Sequence, residues 1–421
     1  MDKTESDCRQ ESFSTRVIAE QFKKKDIHGA ISMPIYRNAA FEFADSESIA
    51  AAFQYKEEVA SHTYSRITNP TVENLERKMK AASGAQNVQA VASGMAAISN
   101  TLMTIVWSGC NVVSSPHLFG NTFSFFKFTL SFLGVEVRFV NTDNLEEIEA
   151  AIDQNTVGFF CELITNPNME IADLEKISPL LKAKDVPMIV DSTIVPWCGF
   201  SASKFGADIE IVSTTKYISG GATSLGGAIL DYGTFNWRKN KVLGMYSKSP
   251  EMSQFSFRLK REIARNFGAC MDPDVAYMQS LGMETLELRF KAVSDAAYEI
   301  ASFLEAQPEV KKVGYTALES SRYKAISDKM FTTNPGAMLT FNLESLEKCY
   351  QLMDQLKLVR RATNLFDNKT LIIHPYSTIY GTFSKEMKDK MGIEDNLLRL
   401  SVGLEGVEDL KSDLRQALDK L

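Results

Sequence analysis

The stretch "DIEIVSTTKYISGGATSLGG", Asp208 to Gly227, leaves an apolar run through Ser213, Thr214, Thr215 and Lys216 and then breaks into glycines. A lysine at a strand end ordinarily faces water. Here hydroxyls stand one and three residues before it, which sets anion-binding donors beside a primary amine. An amine whose surroundings lower its pKa can condense with an aldehyde. Upstream, Ser93-Gly94-Met95 joins the apolar "VQAVA" to a helical run. Gly94 permits close backbone approach there, and the N–H groups of Gly94 and Met95 would meet an anion at a helix N-terminus. Ser93 also serves as a plain N-cap, and the two roles are compatible. Asp191 ends the apolar "VPMIV", where it either opens a turn or holds a pyridinium nitrogen protonated. Phosphate donors, a ring-nitrogen carboxylate and a lysine behind a hydroxyl pair are together what pyridoxal phosphate requires. Neither G-x-G-x-x-G nor G-x-x-x-x-G-K-[ST] occurs, which argues against a dinucleotide or P-loop site.

These residues need a scaffold that brings strand ends together. From about residue 90 to 230, short β-rich runs alternate with amphipathic helical ones: "NVVSS", "VEVRFV", "VGFF", "VPMIV" and "IEIVS" read as strands. The alternation predicts an α/β fold with a mostly parallel sheet covered on both faces and ligands beyond the strands' carboxyl ends. The first 65 or so residues lack this rhythm, and "HGAISMPIYRNAAFEF" reads as an extended arm. One long helical run, "DPDVAYMQSLGMETLELRFKAVSDAAYEIASFLEAQ", then leads to a smaller C-terminal α+β region. The expected division is an arm over 1–66, a cofactor-binding α/β domain over 67–268 and an α+β domain over 269–421.

Composition narrows the function classes. The 421 residues are 44% hydrophobic and 24% charged, the balance of a soluble globular enzyme. A formal net charge of −7 argues against general affinity for nucleic acid or an anionic membrane. The opening "MDKTESDCRQES" has neither a basic nor an apolar targeting region, and "TFSFFKFTLSFLG" is too short to span a bilayer, so a cytoplasmic protein is expected. Six scattered cysteines (Cys8, Cys110, Cys161, Cys198, Cys270, Cys349) and four isolated histidines (His28, His62, His117, His374) predict neither a disulfide framework nor a metal site.

The motifs "GAISMPIY", "YSRITNPT", "ASGMAAI", "HLFGNTF", "ITNP", "VDST", "STTKYISGGATSLGG", "LIIHPYST" and "LLRLSVGLE" follow one another from about Ser12 onward. In that order the chain resembles the Cys/Met-metabolism family of pyridoxal-phosphate enzymes. The resemblance implies a fold-type I (aspartate-aminotransferase-like) architecture, with Lys216 carrying the cofactor and Ser213 and Thr215 helping to hold its phosphate. It implies that Tyr64 and Arg66 reach the phosphate of a neighbouring subunit, in a homo-oligomer built from dimers and usually a tetramer. It places Asn166 near the ring oxygen and the substrate carboxylate, Thr193 beneath the ring, and Arg399 with Asn364 on the substrate. Tyr64, Lys216 and Asp191 are the expected catalytic groups.

Some positions depart from the family's pattern. Phe119 stands where most members place a ring-stacking tyrosine, which keeps the stacking surface but loses a phenol able to move protons. Gly221 replaces a common histidine, and Phe366 and Tyr376 replace small residues, which bears on pocket size and acyl preference. The "TS-x-GG" pattern and "ATNLFDNKTLIIHP" look more like the O-acetylhomoserine sulfhydrylases. The implied reaction is γ-replacement on an activated homoserine by sulfide or a thiol, within trans-sulfuration and methionine biosynthesis. The alternatives are a methionine γ-lyase, a cystathionine γ-synthase or lyase, and, in another class, a non-catalytic relative.

Overall fold

The computed structural model describes residues 11–20, 28–54, 62–246, 249 and 251–421. Cys8 and part of the expected N-terminal arm lie outside them. Seven strands form the larger sheet: β1 (Asn87–Val91), β2 (Asn111–Ser114), β3 (Glu136–Phe139), β4 (Thr156–Glu162), β5 (Met188–Asp191), β6 (Ile209–Val212) and β7 (Gly227–Asp231). Their order is β1-β7-β6-β5-β4-β2-β3. Neighbours from β6 through β3 pair parallel, while β7 pairs antiparallel with both β1 and β6. The sheet is therefore mostly parallel, as the alternating rhythm predicts, with an antiparallel insertion that the rhythm does not contain.

Because side chains alternate across a strand, two apolar neighbours supply two opposite cores. Val113, Phe159, Val190 and Val212 pack on one face, and Val112, Phe160, Ile189 and Ile211 on the other. Glu210, fully buried in β6, is a charged side chain among them. It accepts from the hydroxyl of Ser192, from Trp197 Nε1 at 3.1 Å and from the Tyr232 hydroxyl at 2.5 Å. Those bonds tie β6 to the segment following β5, so the two strand ends leave the sheet in a fixed relation.

The smaller sheet contains β8 (Lys312–Gly314), β9 (Met338–Asn342), β10 (Arg360–Arg361), β11 (Leu371–Ile373) and β12 (Leu397–Ser401), in the order β10-β11-β12-β9-β8. The first core runs on into it through Leu339, Phe341, Ile372 and Leu398. The single long helical run of the sequence divides at Thr285 into helices Pro273–Glu284 and Leu286–Glu305. Within the arm, Phe13–Ala19 and Ser46–Phe53 are helical, whereas 28–45 contains no regular element beyond a bridge from Ala40 to Tyr64. Among the described residues no helix is long and apolar enough to cross a membrane, and no cluster of His, Cys, Asp and Glu could hold a metal ion. The five described cysteines are free.

Candidate active site

Ser93 caps the helix Gly94–Ile105 directly after β1, its hydroxyl accepting the Ala96 N–H at 3.1 Å. Ser213 follows β6. Two glycines let these segments touch. A Cβ on Gly94 would lie 2.8 Å from Ser213 Cβ, and one on Gly227 only 2.2 Å from the Ser93 carbonyl oxygen. The helix N-terminus with Gly94 and Met95 and the hydroxyl-bearing turn before Lys216 are thus brought together as a narrow, donor-rich cradle. Thr215, expected in the same cradle, instead uses its hydroxyl to brace the turn: it donates to the Gly226 carbonyl at 3.2 Å and accepts the Gly226 N–H at 3.0 Å.

Asp191 ends β5 one strand away. Its Oδ1 accepts both the Thr193 N–H at 3.0 Å and the Thr193 hydroxyl at 2.6 Å. The same hydroxyl accepts the Ser213 N–H at 2.8 Å. Thr193 therefore locks the Asp191 rotamer and couples it to the cradle, using one of the two carboxylate oxygens. Burial pushes the Asp191 carboxyl up, and the Thr193 bonds oppose that push.

Lys216 is half-buried, and its Nζ donates to Asn364 Oδ1 at 2.7 Å. Burial first, and the positive charge of Arg399 second, lower its pKa from 10.5 to about 8. Arg399, on β12, is 2% exposed. It donates to Asn166 Oδ1 at 3.1 Å and to the Thr363 carbonyl at 2.9 Å, and burial lowers its pKa to about 10. Neither Lys216 nor Arg399 has a carboxylate partner among the described residues. Two cations and an amide pair thus lie together with no carboxylate bonded to either cation among the described residues, an arrangement that is costly unless a ligand supplies the charge.

Phe119 joins this group through its loop, its N–H donating to Glu162 Oε1 at 2.6 Å, while Glu162 Oε2 accepts the Asn166 N–H at 3.2 Å. Burial, then the charge of Asp191, raises Glu162 to about 8, against the pull of those two N–H groups. The Tyr380 hydroxyl donates to the carbonyls of Leu118 and Asn166, at 3.2 and 3.1 Å, and holds the same two loops from the other side. Sequence reasoning missed Glu162, Glu210 and Tyr380. Glu162 carried a usable signal, since it ends an apolar strand just as Asp191 does.

Other expected positions lie apart. Tyr64 and Arg66 are exposed, and Arg66 donates to the Arg265 carbonyl at 2.6 Å and lies 5.4 Å from the Tyr64 ring centroid. Among the described residues neither bonds to Lys216, Asp191 or Ser93. A Cβ on Gly221 would come 2.8 Å from Asn368 Nδ2, at the tip of that side chain. Phe366 is buried, 2% exposed. A neighbouring cavity of about 690 Å³ is lined by Asn364 and Asp367 but not by Lys216 or Arg399. Tyr376 is half-buried, with Lys388 Nζ 3.9 Å from its ring centroid.

The residues present fit pyridoxal phosphate. The cradle suits a phosphate, the Asp191 carboxylate suits a ring nitrogen, and a lysine with a depressed pKa suits the aldehyde. Residues 14–419 match the model of the Cys/Met metabolism PLP-dependent enzymes. The chain is 36% identical over 400 residues to O-acetyl-L-homoserine sulfhydrylase 1 of Thermus thermophilus, covering 92% of this chain and 94% of that one. It is also 36% identical over 399 residues to an L-methionine gamma-lyase of Fusobacterium nucleatum subsp. polymorphum, covering 94% and 95%. A solved structure named O-acetylhomoserine (thiol)-lyase, from Campylobacter jejuni and bearing a pyridoxyl-lysine monophosphate, aligns with a TM-score of 0.90 at 33% identity over 97% of this chain and 100% of that one. With a lysine, an aspartate and a phosphate cradle set at the ends of β5, β6 and β1, and a family match over nearly its whole length, this chain belongs to the Cys/Met metabolism enzymes that depend on pyridoxal phosphate.

Proposed function

We propose that the protein replaces the γ-acetoxy group of O-acetyl-L-homoserine with sulfide or a thiol, giving L-homocysteine or methionine and acetate. The observation that carries an amino-acid substrate is Arg399, a buried guanidinium held by Asn166 and the Thr363 carbonyl with no carboxylate of its own among the described residues. A substrate α-carboxylate supplies the missing charge and accepts two parallel N–H bonds. The sulfhydrylase relative supports the acetyl ester, and the lyase relative at equal identity supports a second reading, cleavage of methionine. Phe119 favours the first reading.

Bound at this site, pyridoxal phosphate supplies an aldehyde for amines and an electron sink for charge that develops on the substrate carbons. Asp191 places a negative charge for the ring nitrogen, its rotamer fixed by Thr193. Lys216, lowered to about 8, is neutral often enough near neutral pH to take the substrate α-proton and to return it. Asn364 holds that amine from one side, and Arg399 sets the carboxylate end of the substrate. Phe119 offers an apolar face and no phenol, so an acid at the γ-position is missing. Acetate leaves as a stable anion and needs little protonation, whereas a thiolate leaving methionine needs more.

Tyr64 and Arg66 act, in this reading, on the phosphate of a second copy of the chain, which would make the enzyme at least a dimer and, by analogy with the family, a tetramer. Their exposure and their lack of bonds to this chain's own cradle among the described residues support that role. A cytoplasmic location and the division into 1–66, 67–268 and 269–421 belong to the same proposal. The division is supported by the two sheets occupying separate stretches of the chain. Turnover of O-acetylhomoserine with sulfide, measured beside methionine alone on the purified protein, decides between the two activities.

A further inference from the structure

Phe366 has a backbone φ of +58°, in the left-handed region that a bulky residue occupies only where its surroundings hold it. The surroundings do so. Its ring lies on that of Tyr217, centroids 4.3 Å apart and planes at 15°. Its N–H donates to Ser401 Oγ at 2.7 Å. Tyr217 is in turn fixed by Phe290, which meets it edge-on at 5.2 Å, and by the Ala337 N–H, which donates to its hydroxyl at 2.8 Å.

The neighbours of both rings give this stack its meaning. Tyr217 is the residue after Lys216, and Asn364, whose side-chain oxygen accepts from Lys216 Nζ, comes two residues before Phe366. Two residues beyond, Asn368 Nδ2 donates to the Gly220 carbonyl at 2.9 Å. The segment is therefore pinned at alternate positions, 364 on 216, 366 on 217 and 368 on 220. Glycine would satisfy the backbone angle at 366 without strain, yet an aromatic residue stands there.

We propose that Phe366 is a positioning residue: by stacking on Tyr217 it holds the 364–368 segment so that the Asn364 amide oxygen stays on the Lys216 amine. The two partners come from different parts of the chain, Lys216 from the end of β6 and Asn364 from the turn between β10 and β11. The ring is the bulky contact that fixes one against the other. The proposal rests on Lys216 being the reactive amine but on no choice of substrate. Arg399 is the charged group that acts on the amine, and Asn364 is the neutral acceptor against it. A hydrogen bond to an ammonium is stronger than one to a neutral amine, so losing the acceptor favours the neutral, nucleophilic form.

The test uses the full-length chain stripped of cofactor and a small amine-acylating reagent at pH 7, with labelling of Lys216 followed by peptide mass spectrometry. Phe366→Gly should label about 2.5–5-fold faster than wild type, the rise in neutral amine at pH 7 when a pKa of about 8 drops by about half a unit to one unit. Asn364→Ala should do the same, and the double variant should label no faster than either single one. Phe366→Asn, which also tolerates the backbone angle but lacks the ring, should match the glycine variant and serves in its place should glycine not fold. Phe366→His keeps a flat ring at a tolerated angle and should label at the wild-type rate. A folded Phe366→Gly or Phe366→Asn chain that labels at the wild-type rate overturns the proposal. So does a double variant in which the two effects multiply, or a histidine variant that labels as fast as glycine. Because no substrate turns over in this assay, these outcomes are independent of whether the enzyme prefers the acetyl ester.

Discussion

Glu162 and Asp191 stand side by side in register at the carboxyl ends of the adjacent parallel strands β4 and β5, and burial pushes both carboxyls up. They are held differently. Asp191 is tied to Thr193 and through it to the cradle, whereas Glu162 gathers the N–H groups of Phe119 and Asn166. One carboxyl is braced against the cradle, and the other ties together the loops that carry Phe119 and Asn166.

The Glu162 shift makes stability depend on pH. With a folded pKa near 8 against an ordinary 4.5, the folded chain keeps a proton that the unfolded chain has lost. This contribution is fully present below the ordinary carboxylate range and is lost as pH rises to about 8. Urea unfolding at pH 5.5 and 8.5 should show the wild type losing stability at the higher pH. In Glu162→Gln that loss should shrink by at least about 1.4 kcal/mol, the worth of one pKa unit. An unchanged difference between the two pH values would show that Glu162 keeps an ordinary pKa.

Purified with its cofactor, the protein should be yellow, and borohydride should fix a pyridoxyl group on Lys216. Asp191→Asn should fold and still bind the phosphate but lose at least about 10²-fold in turnover, the scale set by removing one preorganised electrostatic contact. Thr193→Val removes one of the two bonds on Asp191, the hydroxyl one, and the acceptor of the Ser213 N–H, so it should lose activity as well, by a smaller factor. The pyridoxyl label landing on another lysine would remove Lys216 from its assigned role.

Reaction choice turns on Phe119. General acid catalysis is typically worth about 10²–10⁴-fold, so homocysteine formation from O-acetylhomoserine and sulfide should exceed methionine cleavage by at least about 10²-fold. Phe119→Tyr should narrow that gap by raising lyase activity. Equal wild-type rates, read as keto acid and methanethiol against homocysteine, would make the protein a lyase.

Shared sites can be tested by complementation. Arg66→Ala and Lys216→Ala chains should each be inactive alone. Refolded together they should regain part of the activity, because some mixed pairs contain one intact site. Mixed assembly confirmed by mass with no activity recovered would return Arg66 to a role within its own chain.

The site residues that sequence could reveal are those at the ends of apolar runs. Lys216, Asp191 and Ser93 each interrupt such a run with a group that has chemistry to offer, and the parallel strands then carry them to one edge. Glu162 obeys the same rule and was legible in principle. Asn364 and Arg399 were not legible by spacing, because their approach to Lys216 and Asn166 spans more than a hundred residues and is set by how the second sheet packs. The orientation of Phe366 was not legible either, because it follows from a left-handed backbone that no residue type announces. The helical run through Thr285 gave no visible break, since neither Gly nor Pro stands at that position.

The antiparallel insertion of β7 between β1 and β6 sets the order in which this enzyme can be made. Ser93 leaves β1 and Ser213 leaves β6, but they become neighbours only after β7 has entered the gap and Gly227 has come against the Ser93 carbonyl. During synthesis the first half of the cradle emerges early and waits for more than a hundred residues to follow. The cradle is a late seam, closed across one of the longest loops in the sheet. An anion bound there grips both sides of that seam and favours only the chain that has closed it. Cofactor binding and the closed sheet in this way support each other, and a chain without the cofactor should open along β1 more readily than one that holds it.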